Sequence, residues 1–171
     1  MRIKKIVLVF LVLGVSLNGF AQTKNEKKEA KLAKAEEEYT ALKSLVASES
    51  FYFEAENLST AKGLRKNIQR NNYFLKVDAG NSEAYLPYVG VAQSASFGSS
   101  SGIEFNAAME DYEVTYNDKK RKAVIKMNVK GNSETLQVII TATGAFSTVS
   151  VISSRRSRIS YDGKITALKK N

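Results

Sequence analysis

The sequence predicts a mainly β protein, an antiparallel meander curled into a small barrel, with one α-helix in front of it. Three observations predict this. From Ser50 onward, apolar residues alternate with polar ones in short runs spaced near ten residues apart. Hairpin-length turn signals such as Ala79-Gly80-Asn81, Asn117-Asp118, Gly131-Asn132 and Thr143-Gly144 separate the runs. Ahead of Ser50, by contrast, apolar residues recur at helical spacing in a stretch without Gly or Pro.

The first segment, Met1 to Ala21, reads as an address. Arg2, Lys4 and Lys5 precede the unbroken apolar run Ile6 to Leu13, and Gly19-Phe20-Ala21 places small residues three and one positions before a cut after Ala21. Ile6 to Phe20 is 15 residues long and includes Gly, Ser and Asn, whereas a membrane span needs about 20 apolar residues. The expectation is a cleaved secretory signal peptide and a protein delivered to the periplasm or secreted, with no membrane-spanning segment left after cleavage. The predicted organisation is a signal peptide over 1–21, a charged amphipathic helix over 22–48 and a β domain over 49–171.

In the helix, Leu32, Ala35, Tyr39, Leu42 and Val46 form one narrow apolar stripe, with Leu45 beside it. Docking of this stripe onto the sheet is expected; a partner helix in a coiled coil is the alternative, although only about two heptads are present where three or four are wanted. Ser48 to Ser50 ends the pattern.

The strands follow in order. Phe51, Phe53 and Ala55 alternate, and the polar, basic stretch Asn57 to Asn72 then reads as a turn-rich connection or a short helix. Tyr73 to Asp78 and the short Glu83 to Tyr88 come next, the latter closed by the only proline. Ile103, Phe105 and Ala107 form one alternating group; Tyr112, Val114 and Tyr116 form another. Ala123 to Val129, Leu136 to Ala142, Ser147 to Val151 and Ile159 to Ile165 complete the set. Hairpin-length links require antiparallel neighbours, because parallel ones need long crossovers. The prediction is a lipocalin-like barrel or strongly curled meander, with a β-sandwich as the alternative.

Composition narrows the chemistry. The chain has 171 residues, a formal net charge of +9, and no His, Cys or Trp. Disulfides, Cys-based zinc sites, thiol catalysis and a Ser–His pair are therefore excluded. Ser59-Thr60-Ala61-Lys62 matches the S-x-x-K spacing of serine acyl-enzymes, yet the companion S-D-N and K-T-G motifs are absent. No phosphate loop or calcium loop is present. The sequence thus points away from an enzyme, and no cofactor or metal is expected.

The stretch Tyr85-Leu86-Pro87-Tyr88-Val89-Gly90, followed by Phe97-Gly98 and Gly102-Ile103-Glu104-Phe105, resembles the motif of the small exported bacterial proteins grouped as domain of unknown function 4251. The likeness extends over roughly Leu42 to Leu168. Members of that family usually have Phe where Val89 stands and a basic residue at Val91. The resemblance implies the fold and export, and it implies no particular chemistry.

Two function classes remain. One is a non-enzymatic binding module for a small apolar or amphipathic ligand, with Tyr85, Tyr88 and Phe97 as an aromatic lip and Ala92 to Gly102 as a cover. The other is a structural or interaction protein of the cell envelope. It would use the helix stripe or a basic surface at Arg155, Arg156 and Arg158 against an anionic component. Nucleic acid is not an expected partner for an exported chain without a stacking module. A carrier needs a cavity, while an interaction protein needs a filled centre and an exposed patch.

Overall fold

In a computed structural model the chain is described for residues 3–89, 102–131 and 134–168, with side chains from Lys24 onward except that of Arg70. Helix α1 runs Ile3–Ala47. Strands follow as β1 Ser50–Thr60, β2 Arg65–Asn67, β3 Phe74–Asp78, β4 Asn81–Leu86, β5 Ile103–Asn117, β6 Lys122–Lys130, β7 Thr135–Thr143, β8 Phe146–Ser153 and β9 Ile159–Ala167. Short 3-10 turns lie at Gln69–Asn71 and Asp118–Lys120.

Every neighbouring pair of strands is antiparallel, and β1 also pairs with β9. Eight strands therefore close into a barrel, and β2 adds to the free stretch of β1 beyond β3. Closure explains why alternation is so regular: one face of each strand is inside and the other faces water. The barrel form is thus the correct one of the two sheet forms expected.

Two strands are longer than their alternation implies. In β1, Phe51, Phe53 and Ala55 are buried, and then Leu58 is buried instead of Asn57. The register against β9 shifts between Ala55 and Asn57, so Glu56 is an extra residue and the inward phase changes by one. In β5 the same shift lies between Glu110 and Glu113, with Asp111 at φ +56°. What reads as two strands, one around Phe105 and one around Val114, is one bulged strand. The stretch expected as a connection from Asn57 begins with four more residues of β1 for the same reason.

The interior is filled. Phe51, Phe53, Leu75, Val77, Leu86, Ile125, Met127, Val129, Val138, Ile140, Val149 and Tyr161 are all buried and belong to one core. Ala123, Ala142, Ser147, Gly163 and Ala55 sit opposite one another in a row across β6, β7, β8, β9 and β1. Such small side chains leave room for large ones nearby, and Tyr39, Leu42 and Val46 of α1 are buried in the same core. Gly163 has a second reason to be small. A Cβ there would overlap the Glu54 carbonyl oxygen, at the β1 bulge.

Residues 38–47 of α1 cover the rim at which β1 begins. The helix ends where Ser48 Oγ donates to the Leu45 carbonyl and Glu49 takes φ +48°. Tyr112 Oη donates to the Val46 carbonyl at 3.0 Å, and the Ala79 N–H donates to the Glu49 carbonyl at 3.0 Å. The docking expected of the stripe holds for Tyr39, Leu42 and Val46. Residues up to Glu37 form a unit of their own, in which Leu32 is exposed. Among the described residues no helix is long and apolar enough to cross a membrane.

The Tyr39 hydroxyl donates to Asp118 Oδ1 at 2.8 Å and Lys43 Nζ lies 3.4 Å from the same oxygen. The Tyr39 hydrogen bond, with Lys43 adding, holds the Asp118 carboxyl below its usual value. A lowered native value means that the carboxylate stabilises the fold above the ordinary Asp value of about 3.9, and that this contribution is lost as pH falls through the native value. Asp118→Asn is therefore expected to flatten the acid limb of stability from about pH 4 downward. Urea midpoints measured against pH check this; parallel curves for the two proteins would overturn it. The effect is small, because the Asp118 side chain is 78% exposed.

Candidate functional site

The rim opposite the helix is formed where β1 ends at Thr60, β4 ends at Leu86 and the link Ser154–Arg158 joins β8 to β9. Three contacts fix its shape. Leu86 is buried, which anchors the strand end before Pro87. The Tyr161 hydroxyl, deep in the barrel, donates to the Pro87 carbonyl at 2.7 Å. Burial pushes the Tyr161 hydroxyl well above its usual pKa, with Tyr88 adding and Arg156 opposing, so it stays a donor. The Tyr88 hydroxyl donates to the Ser157 carbonyl at 3.2 Å. Pro87 has no N–H to leave unpaired here, which suits a strand end.

Arg156 ties these parts together. Its Nε lies 2.7 Å from Glu134 Oε1, its Nη1 donates to the Gly102 carbonyl at 2.9 Å, and its guanidinium lies 5.3 Å from the Tyr88 ring centre. Glu134 also accepts from Ser153 Oγ. The Glu134 side chain is 7% exposed and that of Arg156 21%. Arg156 thus joins the two feet of the segment between Tyr88 and Gly102.

Beside this framework lies a recess of about 300 Å³, lined by Thr60, Ala61, Lys62, Leu64, Val89, Ser157 and Arg158. Leu64 is 51% exposed and Val89 38%, so both present aliphatic surface at the recess. The Leu64 N–H donates to Thr60 Oγ1 at 3.2 Å and its carbonyl accepts from the Thr60 N–H at 2.9 Å, so the turn that presents Leu64 is closed on itself. Arg158 Nη2 donates to Ser150 Oγ at 3.1 Å. Among the described residues neither Lys62 nor Arg158 lies within ion-pair distance of a carboxylate.

The residues singled out from sequence are distributed unevenly around this rim. Tyr88 is part of the framework. Tyr85 lies on the outer wall of β4, 45% exposed, with its ring 5.4 Å from that of Tyr73. Phe97 and the cover over Ala92 to Ser101 lie outside the described residues. Arg155, Arg156 and Arg158 do not act as one patch: Arg156 is taken by Glu134 and Gly102, Arg158 lines the recess, and Arg155 borders a separate polar hollow with Lys130 and Glu134. Ser59 lies in β1 opposite Arg65 and Ser160, while Lys62 lies in the turn that follows. Leu64, Glu134 and Ser157 are missed by sequence reasoning; Leu64 is one of several apolar residues in the basic stretch Asn57 to Asn72, and no local spacing singles it out.

The family described as "Domain of unknown function (DUF4251)" matches this chain over residues 33–165. The chain belongs to this family. The match takes in the stripe of α1 from Ala35 onward, the Leu86-Pro87-Tyr88 strand end and most of β9, so the recess and its framework lie within the family's region. A crystal structure of a DUF4251 family protein from Bacteroides eggerthii is similar in fold, with a TM-score of 0.60 and 16% identity, covering 79% of this chain and 89% of that one. No functionally curated protein matches the chain.

Proposed function

We propose that the protein is an exported, non-enzymatic binding module that takes a small apolar or amphipathic molecule at the rim opposite its helix. The observation that carries this reading is the recess beside the Leu86-Pro87-Tyr88 strand end, where Leu64 and Val89 are exposed on a tied framework. Its volume is at the lower end of small-molecule sites. The filled centre argues for a ligand on the rim instead of one inside the barrel. The absence of His and Cys from the chain supports carriage over turnover. The alternative, an envelope protein docking through a basic patch, is less well supported because Arg156 is committed to internal partners.

Native mass spectrometry of protein exported from a Gram-negative host tests the reading. A mass above that of the chain is expected, released on mild activation and missing from Leu64→Glu. A bare mass, together with no binding of added octanol or octanoate, would overturn the proposal. A retained ligand unaffected by Leu64→Glu would overturn its placement at the rim.

A further inference from the structure

The recess joins two kinds of surface. Leu64 and Val89 offer exposed aliphatic contact, and Lys62 and Arg158 stand on the same lining. Several cations of the barrel are answered by carboxylates: Arg65 by Asp162, Lys130 by Glu110, Lys164 by Glu56 and Arg156 by Glu134; among the described residues Lys66, Lys122, Lys126 and Arg155 are not, but none of these lines the recess. Lys62 and Arg158 have no such answer among the described residues. The adjoining segment 90–101 contains no Asp or Glu, so it has no carboxylate side chain to supply. Two cations beside apolar surface attract an anion that brings apolar area with it, since burial of the tail and charge-assisted hydrogen bonds to the head then add. Arg158 is also pre-aimed: Ser150 Oγ, itself 2.8 Å from Ser160 Oγ, accepts from its Nη2, which leaves the other donors of the guanidinium fork for a ligand oxygen.

We propose that the rim recess selects single-chain amphiphiles with an anionic head, the head held by Lys62 and Arg158 and the tail laid against Leu64 and Val89. This rests on the rim-binding reading above and specifies its ligand class. It also gives Lys62, which in the sequence belongs to the basic stretch after the first strand and to an S-x-x-K spacing, a role in binding.

Calorimetric titration of the exported protein with octanoate, octanol and inorganic phosphate tests it. Octanoate is expected to bind about tenfold more tightly than octanol, and Lys62→Gln and Arg158→Gln are each expected to remove most of that advantage. Arg155→Gln, which changes the charge equally but lies off the recess, is expected to leave it intact. Added salt is expected to weaken octanoate and leave octanol unchanged. Equal binding of octanoate and octanol would overturn the anionic head while leaving rim binding in place. Phosphate competing as well as octanoate would overturn the amphiphile and leave a simple anion site. If none of the probes binds, the rim-binding reading itself fails. Circular dichroism of Arg158→Gln guards against misfolding; if that variant is unfolded, Lys62→Gln, in an exposed turn, decides the matter.

Discussion

Gly163→Ala is expected to destabilise the barrel by about 3–4 kcal/mol, near the upper end for adding a single methyl group. The added carbon would overlap the Glu54 carbonyl oxygen and lie 2.9 Å from the Glu54 carbonyl carbon and 3.1 Å from Ala55 Cα. All three are backbone atoms of β1, so no side chain can swing aside. Relief requires β1 and β9 to separate at the bulge, and that ladder is the one that closes the barrel. In a chain of this size the cost corresponds to a fall in Tm of roughly 10 °C. Gly80→Ala is the comparison. Gly80 has φ +88° and open space around it, so its substitution meets only the left-handed backbone penalty of about 1–2 kcal/mol. Urea unfolding of both variants checks the difference; similar losses would show that the β1 bulge yields to a methyl group.

Arg156→Ala is expected to cost about 2–3 kcal/mol, below the 3–5 kcal/mol typical when a fully buried pair is broken. The discount follows from the one-fifth exposure of Arg156. The cost arises mainly at Glu134, which stays nearly buried and keeps only Ser153 as a partner among the described residues. Removing both charges, as Arg156→Met with Glu134→Met, is expected to be less harmful than Arg156→Ala alone, because no carboxylate is then stranded. Arg156→Lys is expected to fall in between, keeping the charge and losing the fork that reaches both Glu134 and Gly102. Denaturant midpoints for the four proteins form the check. If the double variant is the least stable, the pair contributes more than its desolvation costs.

The parts of the fold legible in sequence are those where the period of two is unbroken. Strands β6, β7 and β9 alternate cleanly over most of their length, and their predicted cores match the buried residues Ala123 to Val129, Leu136 to Ala142, and Ile159 to Ile165. Reading fails at Glu56 and Asp111, each an inserted residue that moves the inward phase from odd to even positions. A phase change in a one-dimensional pattern looks the same as a strand end, and only the partner strand tells them apart. The site was less legible for a different reason. Its residues come from the end of β1, the turn after it, the segment after β4 and the link before β9, so no local spacing unites them. Aromatic content drew notice to Tyr85, which the pleat turns to the outer wall. The three arginines look alike in sequence and differ only in what each reaches.

The pairing of β1 with β9 also has a kinetic meaning. Its partners, Thr60 with Ile159 and Phe51 with Ala167, are roughly a hundred residues apart along the chain, and bringing such distant segments together carries the largest loop-closure cost in the molecule. A nascent chain that has not yet reached Ile159 has hairpins but no ring, and β1 waits with one edge unsatisfied. Folding of this ring is therefore expected to be on the slow side for a single domain, on the order of milliseconds to seconds, with its last step the meeting of the first and last strands.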